Sequence, residues 1–249
     1  QLAMEYKGHT DMVRSITTDK TGQYLASGSD DGTVKIWEIN TGRCLKTITT
    51  DGVVRSIKWC PNSALSLLLI ASSTNVFLIN PHVGDSLVCS KTDSVLEGAQ
   101  SSDTNQVVSE RVRTTVEWFW SFEPDKVQQG YRLGLKHFKE VSQVVWHGKG
   151  DYFASVMPDG LNRSVLISQI SRRRSQLPFS KPKGLVQCVL FHPSKPCLFV
   201  ATQRHVRIYD LVKQSLVKKL LTNSQWISTM AIHPGGDNLI VGTYDRKML

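Results

Sequence analysis

His9, Ser27 and Asp31 are of the types that supply a general base, a nucleophile and an orienting acid, so the first chemistry to weigh is hydrolytic acyl transfer. The rest of the chain offers little in support. Gly148-Lys149-Gly150 lacks the upstream glycine and the downstream hydroxyl of a phosphate-binding loop. The seven histidines sit singly, and His147, His192 and His233 occupy one repeated position at the end of an apolar run, where a turn residue is expected. Cys44, Cys60, Cys89, Cys188 and Cys197 are odd in number and scattered, with neither a CxxC pair nor histidines at metal-ligand spacing, which predicts reduced thiols and no metal. No enzyme activity, cofactor or small-molecule substrate is expected. Anion binding has better grounds: residues 172–219 hold eleven Lys or Arg against the single acid Asp210, while residues 1–171 are almost neutral. Arg172, Arg173, Arg174, Lys181, Lys183, Lys195, Arg204 and Arg207 are the candidate RNA- or partner-binding residues, because clustered exposed cations neutralise phosphates. A nuclear-import tract is the other reading of Arg172–Lys183. Ser175, after three arginines, has the look of a basophilic kinase site.

The elements that must hold these residues begin with Leu25–Glu38, where Ala26, Val34 and Ile36 alternate with polar residues around Asp30-Asp31-Gly32, the signature of a β-hairpin. The apolar run before it recurs as VVRSIKWCP, VSQVVWHG, VQCVLFHP and ISTMAIHP. Its anchors, Asp19, Cys60, His147, His192 and His233, are 41, 87, 45 and 41 residues apart. Three steps match the 40–45 residues of a propeller blade and one is nearly double. Gly8-His9 ahead of the hairpin and Trp37-Glu38 at its end resemble a WD repeat, and that resemblance implies a buried hydrogen-bond tetrad of His9, Ser27, Asp31 and Trp37 that accounts for the apparent triad. The later blades end in Ile79-Asn80, Ser168-Gln169 and Tyr209-Asp210, so the tetrad is expected to be absent from blades two and three.

The fold class that follows is all-β, a WD40 β-propeller with about four and a half blades of an expected seven. Blades are placed near residues 8–50, 51–90 with an insertion at 90–138, 139–180, 181–222 and 223–249, the last cut short, so the chain is expected to be a fragment. The polar stretch Cys89–Arg113 has the composition of a disordered or extended insertion. Thr115–Phe122 and Tyr131–Phe138 read as strands that complete the second blade, with a divergent extra blade as the rival, and Trp118, Phe119 and Trp120 read as core rather than as a partner patch. The apolar runs are too short to span a bilayer and the amino-terminal residues have no signal-peptide shape, so no membrane partner is expected.

Four stretches narrow the family. SRRRSQLPF, WHGKGDYFA, INPHVGDSLV and IHPGGDNLIVGTYDRK resemble the carboxy-terminal propeller of the block-of-proliferation family of ribosome-biogenesis proteins. The resemblance implies a non-catalytic assembly factor of the nucleus, nucleolus and nucleoplasm, needed to mature large-subunit and 5.8S rRNA. It also implies as partners a pescadillo-type protein, a second WD-repeat assembly factor and the pre-60S ribosomal particle with its rRNA. A propeller adaptor that binds peptides, such as a ubiquitin-ligase receptor, is the alternative.

Overall fold

The apolar alternation becomes a series of antiparallel sheets in the computed structural model, which describes residues 2–98, 108–179, 184–224 and 226–249. The first sheet takes its strands in chain order, β1 (Val13–Thr18), β2 (Tyr24–Ser29), β3 (Thr33–Glu38) and β4 (Cys44–Thr49). The second contains β5 (Val54–Trp59), β6 (Leu68–Ser72), β7 (Asn75–Ile79), β8 (Val116–Phe119) and β9 (Tyr131–His137), ordered β5-β6-β7-β9-β8. The third is β10 (Gln143–Trp146), β11 (Tyr152–Val156), β12 (Val165–Gln169) and β13 (Arg174–Gln176). The fourth is β14 (Cys188–Phe191), β15 (Cys197–Ala201), β16 (His205–Asp210) and β17 (Ser215–Leu221), and β18 (Ile227–Ile232) pairs with β19 (Leu239–Thr243).

The first strands of successive sheets stand side by side, β1 by β5, β5 by β10, β10 by β14 and β14 by β18, which is the arrangement of a propeller sector. Each junction between sheets has its own apolar layer. Ile36, Ile57 and Ile70 fill the first, Leu78, Val144 and Phe153 the second, Val156, Val189 and Leu198 the third, and Ala201, Val206 and Ile227 the fourth. Burying each of the larger aliphatic side chains contributes about 1.5–3 kcal/mol.

An innermost strand has no sheet neighbour on its inner edge, so its backbone needs other partners. Side chains from the preceding sheet supply them: Ser15 Oγ accepts from the Ile57 N–H at 3.0 Å, Ser56 Oγ from Val144 N–H at 3.2 Å, and Gln143 Oε1 from Val189 N–H at 2.8 Å. The turn anchors are also explained. Asp19 Oδ1 accepts from the Tyr24 amide at 2.8 Å, His192 Nδ1 from Ser194 and Lys195 amides at 3.1 and 2.9 Å, and His233 Nδ1 from the Gly235 amide at 3.1 Å. A side-chain acceptor closing one turn is what the repeated position requires.

The double step in the repeat is one enlarged sheet. β9 pairs with β7 as the fourth strand, and β8 adds a fifth on the outside of β9, so the described residues between the second and third sheets form no extra blade. The stretch expected to be disordered or extended starts instead with helix α1 (Ser86–Gly98), followed by α2 (Glu110–Arg113), while residues 99–107 lie outside those described. Cys89, Thr92 and Leu96 form the buried stripe of α1, at three- and four-residue spacing. Asp93 ties the helix to β9 through Arg132 Nε at 2.8 Å, and His82 Nε2 lies 2.9 Å from its other oxygen. The aromatic run divides: Trp118 and Phe119 pack against the neighbouring cores, while Trp120 is exposed. Helix α3 (Pro124–Gln129) leads into β9 and ends on Gly130, whose φ of 110° and close approach to the Asn80 carbonyl suit only glycine.

Candidate nucleic-acid interface

His9, Ser27, Asp31 and Trp37 come together between the start of the chain and the first hairpin. Asp31 Oδ2 lies 2.8 Å from His9 Nδ1, so that nitrogen carries the donated proton. His9 Nε2 therefore accepts from Ser27 Oγ at 2.7 Å, and Ser27 Oγ accepts the Trp37 indole N–H at 2.8 Å. Burial pushes the Asp31 carboxyl upward, but hydrogen bonds from Thr33, His9 and the Thr10 and Thr33 amides outweigh it and hold the group well below the usual carboxylate range. Ser27 is only 5% exposed and its oxygen is engaged by both ring groups, so no substrate carbonyl can reach it as a hydrolase would require.

A second such link was missed in the sequence. His137 Nδ1 donates to the Leu135 carbonyl at 3.2 Å, and Nε2 accepts from Ser155 Oγ at 2.8 Å. His137 precedes Ser155 by the same 18 residues that separate His9 from Ser27, and that spacing was the signal available. The third sheet therefore keeps part of the network expected to be absent. Ser168 stands at the register position of Trp37, opposite Phe153 as Trp37 stands opposite Leu25. Ser168 Oγ lies 2.9 Å from Ser175 Oγ, which accepts the Trp118 indole N–H at 3.0 Å, so an indole from the preceding sheet reaches the place where the repeat has lost its own. With its hydroxyl held this way inside β13, Ser175 does not present the exposed, extended segment that a kinase site needs.

The cationic residues do not share one patch. Arg172 and Arg174 are exposed at the turn into β13 and border a groove of about 400 Å³ whose other walls include Val108, Val112, Tyr152 and Ile167. Lys195 is exposed on the turn between β14 and β15, and Asp151 accepting from the Ser171 amide at 2.9 Å and His147 against Phe191 place both turns at the same end of the sheets. Arg204 is exposed at the opposite end of β15, on the turn into β16, and exposed Lys219 stands opposite Arg207 on β17. There His205 is pushed below its ordinary pKa, first by desolvation and then by Lys219, Arg207 and Arg204. Lys181 and Lys183 lie outside the described residues.

Two of the arginines expected on the surface turn inward. Arg207 is buried within β16, because the two-residue period of the strand points it at the junction between sheets, on the side of Tyr209. Arg173 reaches back between Arg172 and Arg174 and donates to the carbonyls of Val95 and Leu96 in the last turn of α1, and to Ile170 at 2.9 Å. Cations suit the carbonyl end of a helix, where backbone acceptors have no partners. Burial pushes the Arg173 guanidinium down to about 10, with Asp151 opposing. Replacing Arg173 with Gln is expected to destabilise the chain by about 1–2 kcal/mol, read from the urea midpoint, by leaving helix-end carbonyls short of a charged donor.

Among the described residues no group of three His, Cys, Asp or Glu could hold a metal ion, and no helix is long and apolar enough to cross a membrane. All five cysteines are free, and burial pushes Cys60 up to about 11 and Cys188 up to about 12, which leaves these two as unreactive thiols.

Comparison with known proteins places this geometry. The family model for the WD domain, G-beta repeat, matches residues 1–38. The chain is 60% identical over 247 residues to a Ribosome biogenesis protein BOP1 homolog of Drosophila grimshawi, covering 99% of this chain and 31% of that protein. It is 62% identical over 244 residues to one of Aedes aegypti, covering 98% of this chain and 28% of that protein. The chain thus spans less than a third of the length of these relatives. With such identity across nearly all of its residues, on a propeller sector that opens with a WD repeat, the chain is similar throughout to a segment of these ribosome-biogenesis relatives.

Proposed function

We propose that this propeller segment serves ribosome biogenesis as a non-catalytic docking platform, within a nuclear and nucleolar factor that matures large-subunit and 5.8S rRNA on the pre-60S particle. A pescadillo-type protein and a second WD-repeat factor are the proposed protein partners. The observation that carries the reading is the 60% identity to ribosome-biogenesis relatives along 99% of the chain. A fold of sheets with a buried Ser27 is in keeping with a scaffold. Affinity purification of the intact protein is expected to enrich pre-ribosomal RNA and the pescadillo-type partner, and recovery of ubiquitin-ligase subunits in their place would overturn the reading.

The proposed RNA-binding groups are the cations that reach solvent: Arg172, Arg174 and Lys195 at one end of the sheets, with Arg204 and Lys219 at the other. Converting Arg172 and Arg174 to Glu is expected to flatten the logarithmic salt dependence of RNA binding, by about 0.7 for each single-strand phosphate that is no longer neutralised. Arg173→Gln should leave that slope in place. Equal slopes for wild type and the double reversal would exclude the pair as phosphate ligands.

A further inference from the structure

Soluble proteins seldom leave tryptophan in water, yet Trp226 is 44% exposed and its neighbour Tyr244 is 67% exposed. Both lie on connecting segments at the end of the sheets that carries Arg204. The Tyr244 amide donates to the Trp226 carbonyl at 2.9 Å, the Ile227 amide to Gln203 at 3.0 Å and the Thr222 amide to Arg204 at 3.2 Å, so three connections are stitched side by side and two of them carry the aromatic residues. Arg204, Arg246 and Lys247 are exposed on these connections. Residues 211–236 contain no acid, and Asp245 is held by Lys247 at 2.9 Å and by the Thr243 hydroxyl. The equivalent amide-to-carbonyl bond in the first sheet joins Asp30 to Met12 at 2.9 Å, and Met12 is 56% exposed although the second sheet stands beside it. This position in the repeat therefore faces solvent beside a neighbouring sheet.

We propose that Trp226 and Tyr244, flanked by Arg204 and Arg246, form a stacking platform for the unpaired bases of single-stranded RNA. Aromatic faces stack on any base, and arginines alongside them take the phosphates, so the pairing suits a sequence-tolerant grip on an unpaired strand and not on a duplex. The platform deepens the RNA-binding reading above and rests on it, but uses rings that reading does not invoke.

The test uses the full-length protein with fluorescein-labelled oligouridine and an RNA duplex of equal length. Trp226→Ala is expected to weaken oligouridine binding about tenfold with an unchanged salt slope and unchanged duplex binding, while Trp226→Phe restores most of it. Tyr244→Ala should act in the same direction, and Arg204→Glu should lower the slope. Unchanged oligouridine affinity in both ring variants, with the Arg172 and Arg174 reversal still flattening the slope, would overturn the platform and leave the RNA reading standing. Failure of the wild type to bind either RNA would overturn both. Capture of an aspartate-rich peptide that Trp226→Ala abolishes, with oligouridine binding intact, would overturn the platform in favour of a protein ligand.

Discussion

Replacing Trp37 with Ala is expected to lower the stability of the chain by about 3–5 kcal/mol, the range for truncating a fully buried indole. Trp37 is 1% exposed, stacks edge-on against Tyr6 at 5.7 Å and donates to Ser27. Its removal leaves a cavity and takes one partner from a buried oxygen. Trp37→Phe separates the two effects: most of the volume stays, the N–H goes, and the expected loss falls to about 1–2 kcal/mol. Because the indole, hydroxyl, imidazole and carboxylate form one chain, losses for Trp37→Phe and Asp31→Asn should be non-additive by more than about 0.5 kcal/mol in a double-mutant cycle. Urea unfolding of the four variants decides it, and an alanine loss below about 1 kcal/mol would mean the first sheet does not depend on this ring.

The second large effect is titration of His137. Burial holds its pKa at about 4, with hydrogen bonding to the Leu135 carbonyl opposing the shift, and the ring is 2% exposed. An unfolded chain binds that proton near pH 6.5, so between pH 6.5 and about 4 the unfolded state carries more protons than the folded one. Stability from this residue is fully present above pH 6.5 and falls as the medium is acidified, by about 2 kcal/mol at pH 5 and about 3 kcal/mol by pH 4. Asp31, with its depressed pKa, starts to lose its contribution only as free carboxylates titrate, below about pH 5, whereas His147 and His205, both pushed below the ordinary histidine value, act in the same direction as His137 between pH 6.5 and 5. The gap between the urea midpoints at pH 7.5 and 5 should narrow when His137 is replaced by Gln, the remainder belonging to groups such as His147 and His205. An undiminished acid loss in that variant would assign the effect to other groups.

The repeat was legible because its signals are local. Period-two apolar runs, the Asp-Gly turn after Ser29 and anchors about 41 residues apart are set by the strand pleat and by turn sterics, and each survives reading along one dimension. Helix α1 was harder, since only Cys89, Thr92 and Leu96 of its thirteen residues are buried, a stripe easily lost in a polar stretch. The candidate interface was least legible. Charge density located Arg172 to Arg174, but which guanidinium meets water and which meets a helix end depends on where α1 docks, an interaction across 78 residues of chain. Arg207 illustrates the same limit, as strand register and not composition turned it inward. Trp226 and Tyr244 carry no motif. Their adjacency is created by one backbone hydrogen bond between different connections.

The grip of Arg173 on the end of α1 makes the inserted helix and the arginine turn of the next sheet a single mechanical unit. Unwinding the last turn of that helix would free the guanidinium and slacken the loop that presents Arg172 and Arg174. By thermodynamic reciprocity, if a factor that clasps the helix changes the affinity of the two outward arginines for an anion, that anion changes the affinity for the factor by the same ratio.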